Sequence, residues 1–506
     1  MNVVDYLIGN QSAADDAVLL TPSSQHSYGE LRQAVNAVAD FLIRSGVRKG
    51  DRIVLLSDNS FFWVAAYLGA LRAGCVSVPL SPSISSEDLK FVIESCSIRW
   101  GFFHGKVNRE QLLVIPSECK IVLEAAVKLP DGFRPAYVSF KDQLALTPAR
   151  NSYPDIDEGK DLAAIMFTSG STSKPRGVMV SHRNIISNTS SILEYLELTS
   201  RDRIMAVLPF FYCFGTSLLH THLRAGGSVV VDPRFMFPDK VLVRMQETGC
   251  TGFAGVPSHY QILLRKSSFT KMQFPALRYV QQAGGKLADA MIRELREALP
   301  TVKVFVMYGQ TEATARLSYL PPALLDKKLG SIGKGLPGTR LRVVDENGAP
   351  VRPGQVGEIV AEGDNIALGY WDVEVEDALA FRAGSLYTGD LATVDDDGFI
   401  FIVDRSKDIL KCGGKRSPCR EVEDALLEFD DLVEAAVIGV PDDLLGEAVK
   451  AFIVPRKKDG SLIERLQTFC LQRLPSHLIP KEIVVLDELP KGSGGKILKP
   501  ALRMIN

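Results

Sequence analysis

At 506 residues the chain is longer than one hydrophobic core serves, so two or more domains are expected. Its composition is that of an ordinary globular protein, 46% hydrophobic and 23% charged, and a net charge of −2 gives no basic surface for nucleic acid or an anionic membrane. The eight cysteines include no C-x-x-C pair, and Cys412 and Cys419 have no histidines at zinc-finger spacing; free thiols in a reducing, cytoplasmic setting are expected.

The first residues carry Asp5 and no basic stretch ahead of an apolar core, which argues against a secretory signal. Asp51 to Leu56 reads as a strand, Phe61 to Arg72 as a buried helix and Val76 to Leu80 as the next strand. The longest apolar run, Phe61 to Leu71, is too short to span a bilayer. Leu162 to Phe167 is a further strand-like run, and Thr168-Ser169-Gly170-Ser171-Thr172-Ser173-Lys174-Pro175-Arg176-Gly177 follows it directly. Small hydroxyl residues and glycines let N–H and O–H groups approach phosphate oxygens, and Lys174 and Arg176 add charge, as a triphosphate loop requires. A polar surface loop has a similar composition. The G-x-x-x-x-G-K-[ST] spelling is met neither here nor at Gly492-Ser493-Gly494-Gly495-Lys496, where Ile497 follows the lysine.

The strand–helix rhythm recurs at Arg203 to Leu208, Ser228 to Val231, Gly252 to Val256, Tyr279 to Ala283 and Val302 to Met307. This predicts mostly parallel sheets covered by helices, with ligand residues just beyond the strand ends. His220 and His222 are too close to share a helix face and read as packing or surface residues. From about Gly330 short β runs separated by Gly, Pro and Asp turns take over, at Leu341 to Val344, Gly357 to Ala361 and Leu391 to Ile402, with a glycine-turn hairpin at Val394 to Phe399. After Asp404 the pattern is again mixed: a helix at Arg420 to Glu428 and strands at Val433 to Val440 and Val449 to Val454.

The loop at Thr168 to Gly177 resembles the phosphate-binding signature of the adenylate-forming enzymes, the superfamily of acyl-CoA synthetases, adenylation domains and beetle luciferases. Further signatures follow in order: Leu71 to Leu80, Tyr308-Gly309-Gln310-Thr311-Glu312, Gly357 to Gly363 ending at Gly369-Tyr370, Tyr387-Thr388-Gly389-Asp390, Asp404-Arg405-Ser406-Lys407-Asp408, and Pro490 to Leu498. The resemblance covers nearly the whole chain, and the ordered set is far more specific than any one motif. It implies an α/β multidomain fold. A large N-terminal part, 1–406, would hold two mostly parallel helix-flanked sheets and a β-rich subdomain at about 330–404. A small mobile α+β domain, 407–506, would hinge at Lys407.

The resemblance also implies the reaction: a carboxylate attacks the α-phosphorus of ATP to give acyl-AMP and pyrophosphate, and a thiol then takes the acyl group. ATP, Mg²⁺ and CoA, or a carrier protein's phosphopantetheine, are the implied partners. Thr168, Ser169, Gly170, Ser171, Thr172, Ser173, Lys174, Arg176 and Gly177 would hold the β- and γ-phosphates. Tyr308, Gly309, Gln310, Gly284 and Gly285 would flank adenine; Gly284-Gly285 alone reads as an ordinary turn. Thr311 would touch the α-phosphate and Glu312 the Mg²⁺. Asp390, a two-oxygen acceptor, would take the ribose diol, with Arg405 nearby. Lys496 would bridge carboxylate and α-phosphate by electrostatics and positioning. After rotation about Lys407, the loop with Lys411, Gly413 and Gly414 would admit a pantetheine arm. Ser173 stands where the family usually has glycine, Arg176 where it has lysine, and Ser417-Pro418-Cys419 is one place out of step.

Amino-acid-activating relatives place an aspartate early in the pocket motif. Here Leu208 to Thr216 has no acidic residue, and a buried ammonium without a counter-charge is costly, so an acid without a free α-amine is expected. Tyr212 and Phe214 are the leading pocket residues, with Gly215, Val256, His259, Ala283 and Arg316; the aromatics equally suit the core. Arg316 reads either as a reader of a polar substituent or as a surface charge. The sequence does not separate an acyl-CoA ligase from an acyl-AMP ligase loading a carrier protein. Luciferase-type oxidation has nothing in its favour beyond the scaffold. Retained Glu312, Asp390, Arg405 and Lys496 argue against a non-catalytic binding protein.

Overall fold

The computed structural model describes residues 1–9, 13–144, 152–168, 175–372, 380–382, 384–405, 409–412, 415–442, 445–457, 459–492 and 495–505, which form four sheets. The first has eight strands in the order Ser318–Leu320, Lys303–Tyr308, Tyr279–Gln282, Gly252–Gly255, Arg203–Ala206, Ser228–Val231, Ala17–Leu20, Gln25–Ser27. Its six inner strands are parallel and only the two edges are antiparallel. Parallel pairing has a direct consequence for function. The segments after Gly255, Gln282 and Tyr308 leave the sheet on one edge, where open α/β sheets bind ligands.

The second sheet runs Ala136–Ser139, Lys120–Leu123, Trp100–Phe103, Arg52–Leu56, Val76–Leu80, Leu162–Thr168, Arg176–Ser181. Its last pair is antiparallel, with Thr168 opposite Arg176. The strands on either side of the proposed phosphate loop are therefore an antiparallel pair, not the strand and helix that flank a P-loop, which agrees with the failed spelling. The helix Phe61–Arg72 starts on a Ser60 cap to the Trp63 N–H and is buried from Phe62 through Leu71. It is apolar all round because the core containing it draws side chains from both sheets, Ile53 and Phe102 from one, Ile204 and Val229 from the other.

The β-rich subdomain is five antiparallel strands, Thr339–Val344, Gly357–Gly363, Phe381–Arg382, Ser385–Val394 and Ile400–Arg405. The predicted run from Leu391 to Ile402 is two strands of one hairpin, turned at Gly398 and held by the Asp395 carboxylate, which accepts from the Phe399 and Asp397 N–H groups. The last sheet contains Lys415–Pro418, Ile409–Cys412, Gly446–Pro455, Leu432–Asp442 and Glu482–Val485, with helices Cys419–Leu427 and Leu462–Arg473. It meets the large region where the strand Leu432–Asp442 packs near the helix Pro257–Lys266 and where Lys286 pairs with Asp424 at 2.7 Å.

All eight cysteines are free thiols and seven are buried. Among the described residues no helix is long and apolar enough to cross a membrane.

Candidate active site

The strand Lys303–Tyr308 ends in Gly309-Gln310 and a single 3₁₀ turn, Thr311–Ala313. A β-carbon at Gly309 would lie 2.0 Å from the Ala315 carbonyl oxygen, so only glycine lets the segment fold back this tightly. Thr314 closes the turn at φ 65°, a costly conformation for a β-branched residue, and its hydroxyl donates to the Asn365 carbonyl at 2.7 Å. The turn thereby holds Thr311 and Glu312 beside the β-rich subdomain.

Two tyrosine bonds tie this turn to its surroundings. The Tyr308 hydroxyl donates to Asp390 Oδ2 at 2.6 Å, joining the strand end to the strand Ser385–Val394. Asp390 is buried and lies across the hairpin from Arg405, whose backbone alone is described. The Tyr370 hydroxyl donates to Glu312 Oε1 at 2.8 Å, and the Arg176 guanidinium sits 5.8 Å from the Tyr370 ring. Burial first, then the Glu312 carboxylate, push the Tyr370 phenol well above its ordinary pKa, so it stays a donor. Thr168 bonds across the hairpin to the Arg176 carbonyl at 3.5 Å, and Gly177 accepts from the Trp371 N–H at 2.7 Å. The arms of the phosphate-type loop thus reach Glu312 through Tyr370. Buried Gln310 Nε2 has no hydrogen-bond partner among the described residues.

Lys496 arrives from the last sheet's region. Its turn is closed by Gly492 N–H to the Lys496 carbonyl at 2.8 Å and by a bridge between Lys491 and Ile497. Ser258 Oγ, at the start of the helix Pro257–Lys266, donates to the Gly495 carbonyl at 2.8 Å and docks the turn. The lysine then passes over Gly284, where an added β-carbon would stand 3.4 Å from Lys496 Cε and 2.9 Å from Val256 Cγ1; Gly284 also sits at φ 87°. Gly285 accepts from Gln282 Nε2 at 2.6 Å. Cys213 Sγ lies 3.5 Å from Thr311 Oγ1 and feels the charges of Lys496, Arg316 and Glu312, although burial dominates and raises its pKa. Thr311, Glu312, Gly284, Cys213 and Lys496 form one cluster.

The pocket motif sorts into core and wall. Phe210 is fully buried with its ring 5.3 Å from that of Trp63, and Phe211 is buried, whereas Tyr212 and Phe214 are half-buried at the start of the helix Cys213–Ala225, which Gly215 continues. Arg316 is not a surface charge: it is 1% exposed, its guanidinium carbon lies 4.0 Å from the Phe214 ring centroid, and burial pulls its pKa below the guanidinium norm. Val256 and His259 face Gly495, and the His259 ring packs tilted against that of Phe235 with centroids 4.5 Å apart; burial and Lys491 push its pKa down to about 4. Ala283 is buried at the strand end beside them. His220 and His222 are packing residues, bonded to the hydroxyls of Tyr67 at 3.1 Å and Tyr279 at 3.0 Å.

Ser169, Gly170, Ser171, Thr172, Ser173, Lys174, Lys407, Gly413 and Gly414 lie outside the described residues. Lys411 is exposed on the strand Ile409–Cys412, its N–H bonded to Glu447, and none of its described contacts reaches the Thr311–Glu312 cluster. The out-of-step Ser417-Pro418-Cys419 ends the strand Lys415–Pro418 and starts the next helix, with Pro418 opposite Ile409. Among the described residues no three His, Cys, Asp or Glu converge as a metal cage. Glu312 with one oxygen engaged by Tyr370 suits Mg²⁺, which keeps water and phosphate ligands. Tyr370, Cys213 and Ser258 were not singled out as site residues from sequence. Tyr370 left a signal there as the end of the Gly357 to Tyr370 motif and Cys213 as a member of the Leu208 to Thr216 run; Ser258 left none.

The family model described as AMP-binding enzyme matches residues 9–371, and that of the AMP-binding enzyme C-terminal domain matches residues 421–496. A feruloyl-CoA synthase of Amycolatopsis sp. is 32% identical over 487 residues, 94% of this chain and 93% of that protein. Among solved structures, an anthranilate CoA ligase in complex with anthranoyl-AMP superposes with a TM-score of 0.89 at 27% identity, covering 100% of this chain and 97% of that one. The o-succinylbenzoate CoA synthetase of Bacillus subtilis, in complex with ATP and magnesium ion, gives 0.82 at 26% identity, covering 99% of each. By its sequence, its fold and these matches, the chain belongs to the AMP-binding enzyme family and is an AMP-forming acid–CoA ligase of the adenylate-forming superfamily.

Proposed function

We propose that this ligase uses the cluster around Lys496 for adenylation and a second placement of its C-terminal domain, 407–506, for thioester formation. The observation that supports this most is the docking of the lysine turn: Ser258 holds Gly495, Lys496 Cε lies over Gly284, and the lysine's charge is felt at Cys213, which contacts Thr311. In this arrangement the ammonium lies where an acid's carboxylate and the α-phosphate of ATP would meet. It screens two anions that otherwise repel, and it needs no proton transfer to do so. Thr311 donates to the α-phosphate. Arg176 and the loop from Thr168 to Gly177 hold the β- and γ-phosphates. Mg²⁺ held by Glu312 and those phosphates would neutralise charge on the departing pyrophosphate.

Asp390 takes the ribose hydroxyls, with one of its oxygens fixed by Tyr308. Arg405 stands opposite it on the hairpin. Tyr308, Gly309, Gln310 and the Gly284-Gly285 backbone flank adenine. For the second half-reaction the C-terminal domain turns about Lys407. That withdraws Lys496 and brings Lys411, Gly413 and Gly414 to the pocket mouth for the pantetheine thiol of CoA. The acid lacks a free α-amine, because Leu208 to Thr216 offers no carboxylate to pair one.

Acid-dependent pyrophosphate release across aryl, short, medium and long acids and amino acids, with and without CoA, tests the reading. Release that rises with CoA and yields a thioester supports it. Acyl-AMP accumulation indifferent to CoA points to a carrier-protein acceptor instead, and a preference for amino acids overturns the pocket argument.

A further inference from the structure

Arg316 is a buried cation with no carboxylate partner among the described residues. Its backbone is fixed from two sides, because the Asn188 and Asn365 side-chain amides each donate to its carbonyl at 2.9 Å. Its side chain reaches Gln281 Oε1 through a long 3.4 Å contact and the Tyr195 hydroxyl, and its Nε is buried with no hydrogen-bond partner among the described residues. No Asp or Glu forms an ion pair with it among the described residues. Tyr195 does not supply a negative charge either, since burial pushes its phenol up to about 12. A guanidinium desolvated to this degree is costly unless an anion with good geometry compensates it.

The position of this charge indicates what the anion is. The guanidinium lies over Phe214, on the wall assigned to the acyl group, and its charge and that of Lys496 are both felt at the Cys213 thiol. One cation is thus available to the reacting carboxylate and a second lies on the Phe214 side of Cys213. A planar guanidinium with a vacant Nε–H matches a carboxylate through two parallel hydrogen bonds. Hydrocarbon tails would leave that donor unsatisfied. We infer that Arg316 binds a second carboxylate at the far end of the acid, so that the preferred substrates of this ligase are dicarboxylic acids. This rests on the ligase reading above and on Phe214 lining the acyl site.

The test is pyrophosphate release with matched pairs: malonate to adipate against propionate to hexanoate, and the benzenedicarboxylates against benzoate. Wild-type enzyme is expected to favour a diacid over its monoacid partner by at least about 30-fold in kcat/KM, the discrimination typical of a buried charge pair. Arg316→Gln should collapse that ratio, and Arg316→Lys should keep a part of it. A merely structural arginine would lower both members of a pair together. Even where the variants do not fold, wild-type enzyme that favours monoacids or shows no preference overturns the inference while leaving the ligase reading intact. No release with any acid overturns the ligase reading and the inference with it.

Discussion

Tyr370 donates its hydroxyl to Glu312 at 2.8 Å, and through that bond the strand carrying Arg176 is coupled to the turn after Tyr308. Val178 also bridges the Tyr370 backbone, so the tyrosine is held from both ends of its own residue. In the proposed role of Glu312 as Mg²⁺ ligand one carboxylate orientation is needed, and the Tyr370 bond fixes one of its oxygens. Tyr370→Phe keeps the edge contact with Phe381 at 5.2 Å and removes only the donor. A hydrogen bond to a charged group contributes about 1.5–3 kcal/mol, so kcat/KM for MgATP should fall roughly 10–100-fold with little change in melting temperature. An unchanged MgATP dependence would show that Tyr370 serves packing alone.

Lys496 and Ser258 should separate by half-reaction. Lys496→Ala should cut acid-dependent pyrophosphate release by at least about 100-fold, the scale of losing one preorganised transition-state contact. Supplied acyl-AMP and CoA should still yield thioester at near wild-type rate, since the role proposed for the lysine is confined to the first step. Ser258→Ala removes one anchor of the Gly495 carbonyl, a bond of about 1 kcal/mol, and should slow adenylation about 5-fold without touching thioester formation. Equal losses in both halves would contradict a mobile lysine.

Much of this arrangement was legible in the sequence, and the parts that were not share a cause. Phe61–Arg72 and Val76–Leu80 form as their apolar patterns predict, because periodicity and burial are local properties of the chain. The strand ends at Gly255, Gln282 and Tyr308 were placed to within a residue. The docking of Ser258 on Gly495 spans 237 positions, and no local pattern encodes it. The fate of Arg316 was undecided for the same reason: an arginine ahead of a short strand is ordinarily exposed. Its burial comes from tertiary packing, with Phe214 against its guanidinium and two amides on its carbonyl. The aromatic run at Phe210 to Phe214 was likewise split between core and wall by helix geometry that composition does not reveal.

Tyr308 and Asp390 should behave as one unit. Their 2.6 Å bond joins two sheets, and both residues are buried. Tyr308→Phe and Asp390→Asn should each weaken ATP binding, and the double variant should lose less than the sum. A coupling of roughly 1–2 kcal/mol is expected for residues in direct contact. Isothermal titration with ATP across the four proteins measures it, and strict additivity would mean that the bond does not position the carboxylate.

Histidine burial makes the fold acid-sensitive in a defined window. Nδ1 of His222 contacts the Leu218 carbonyl at 2.8 Å, so Nδ1 carries the proton and Nε2 accepts from Tyr279. Burial lowers its pKa to about 4, with the bond to Leu218 opposing; His182 falls to about 4 and His220 to about 3 by burial as well. Unfolded histidine titrates near 6.5, so between pH 6.5 and 4 the unfolded chain binds more protons than the folded one. Stability is therefore full above pH 6.5 and declines as pH falls through that window, by up to roughly 3 kcal/mol for His222 alone. The urea midpoint of the wild-type protein should drop between pH 7.5 and pH 5. His222→Gln should start lower at pH 7.5, having lost its fit to Tyr279, and should drop less, because one proton-linked group is gone. A variant whose midpoint falls as steeply as wild type would show that His222 is already charged in the folded protein.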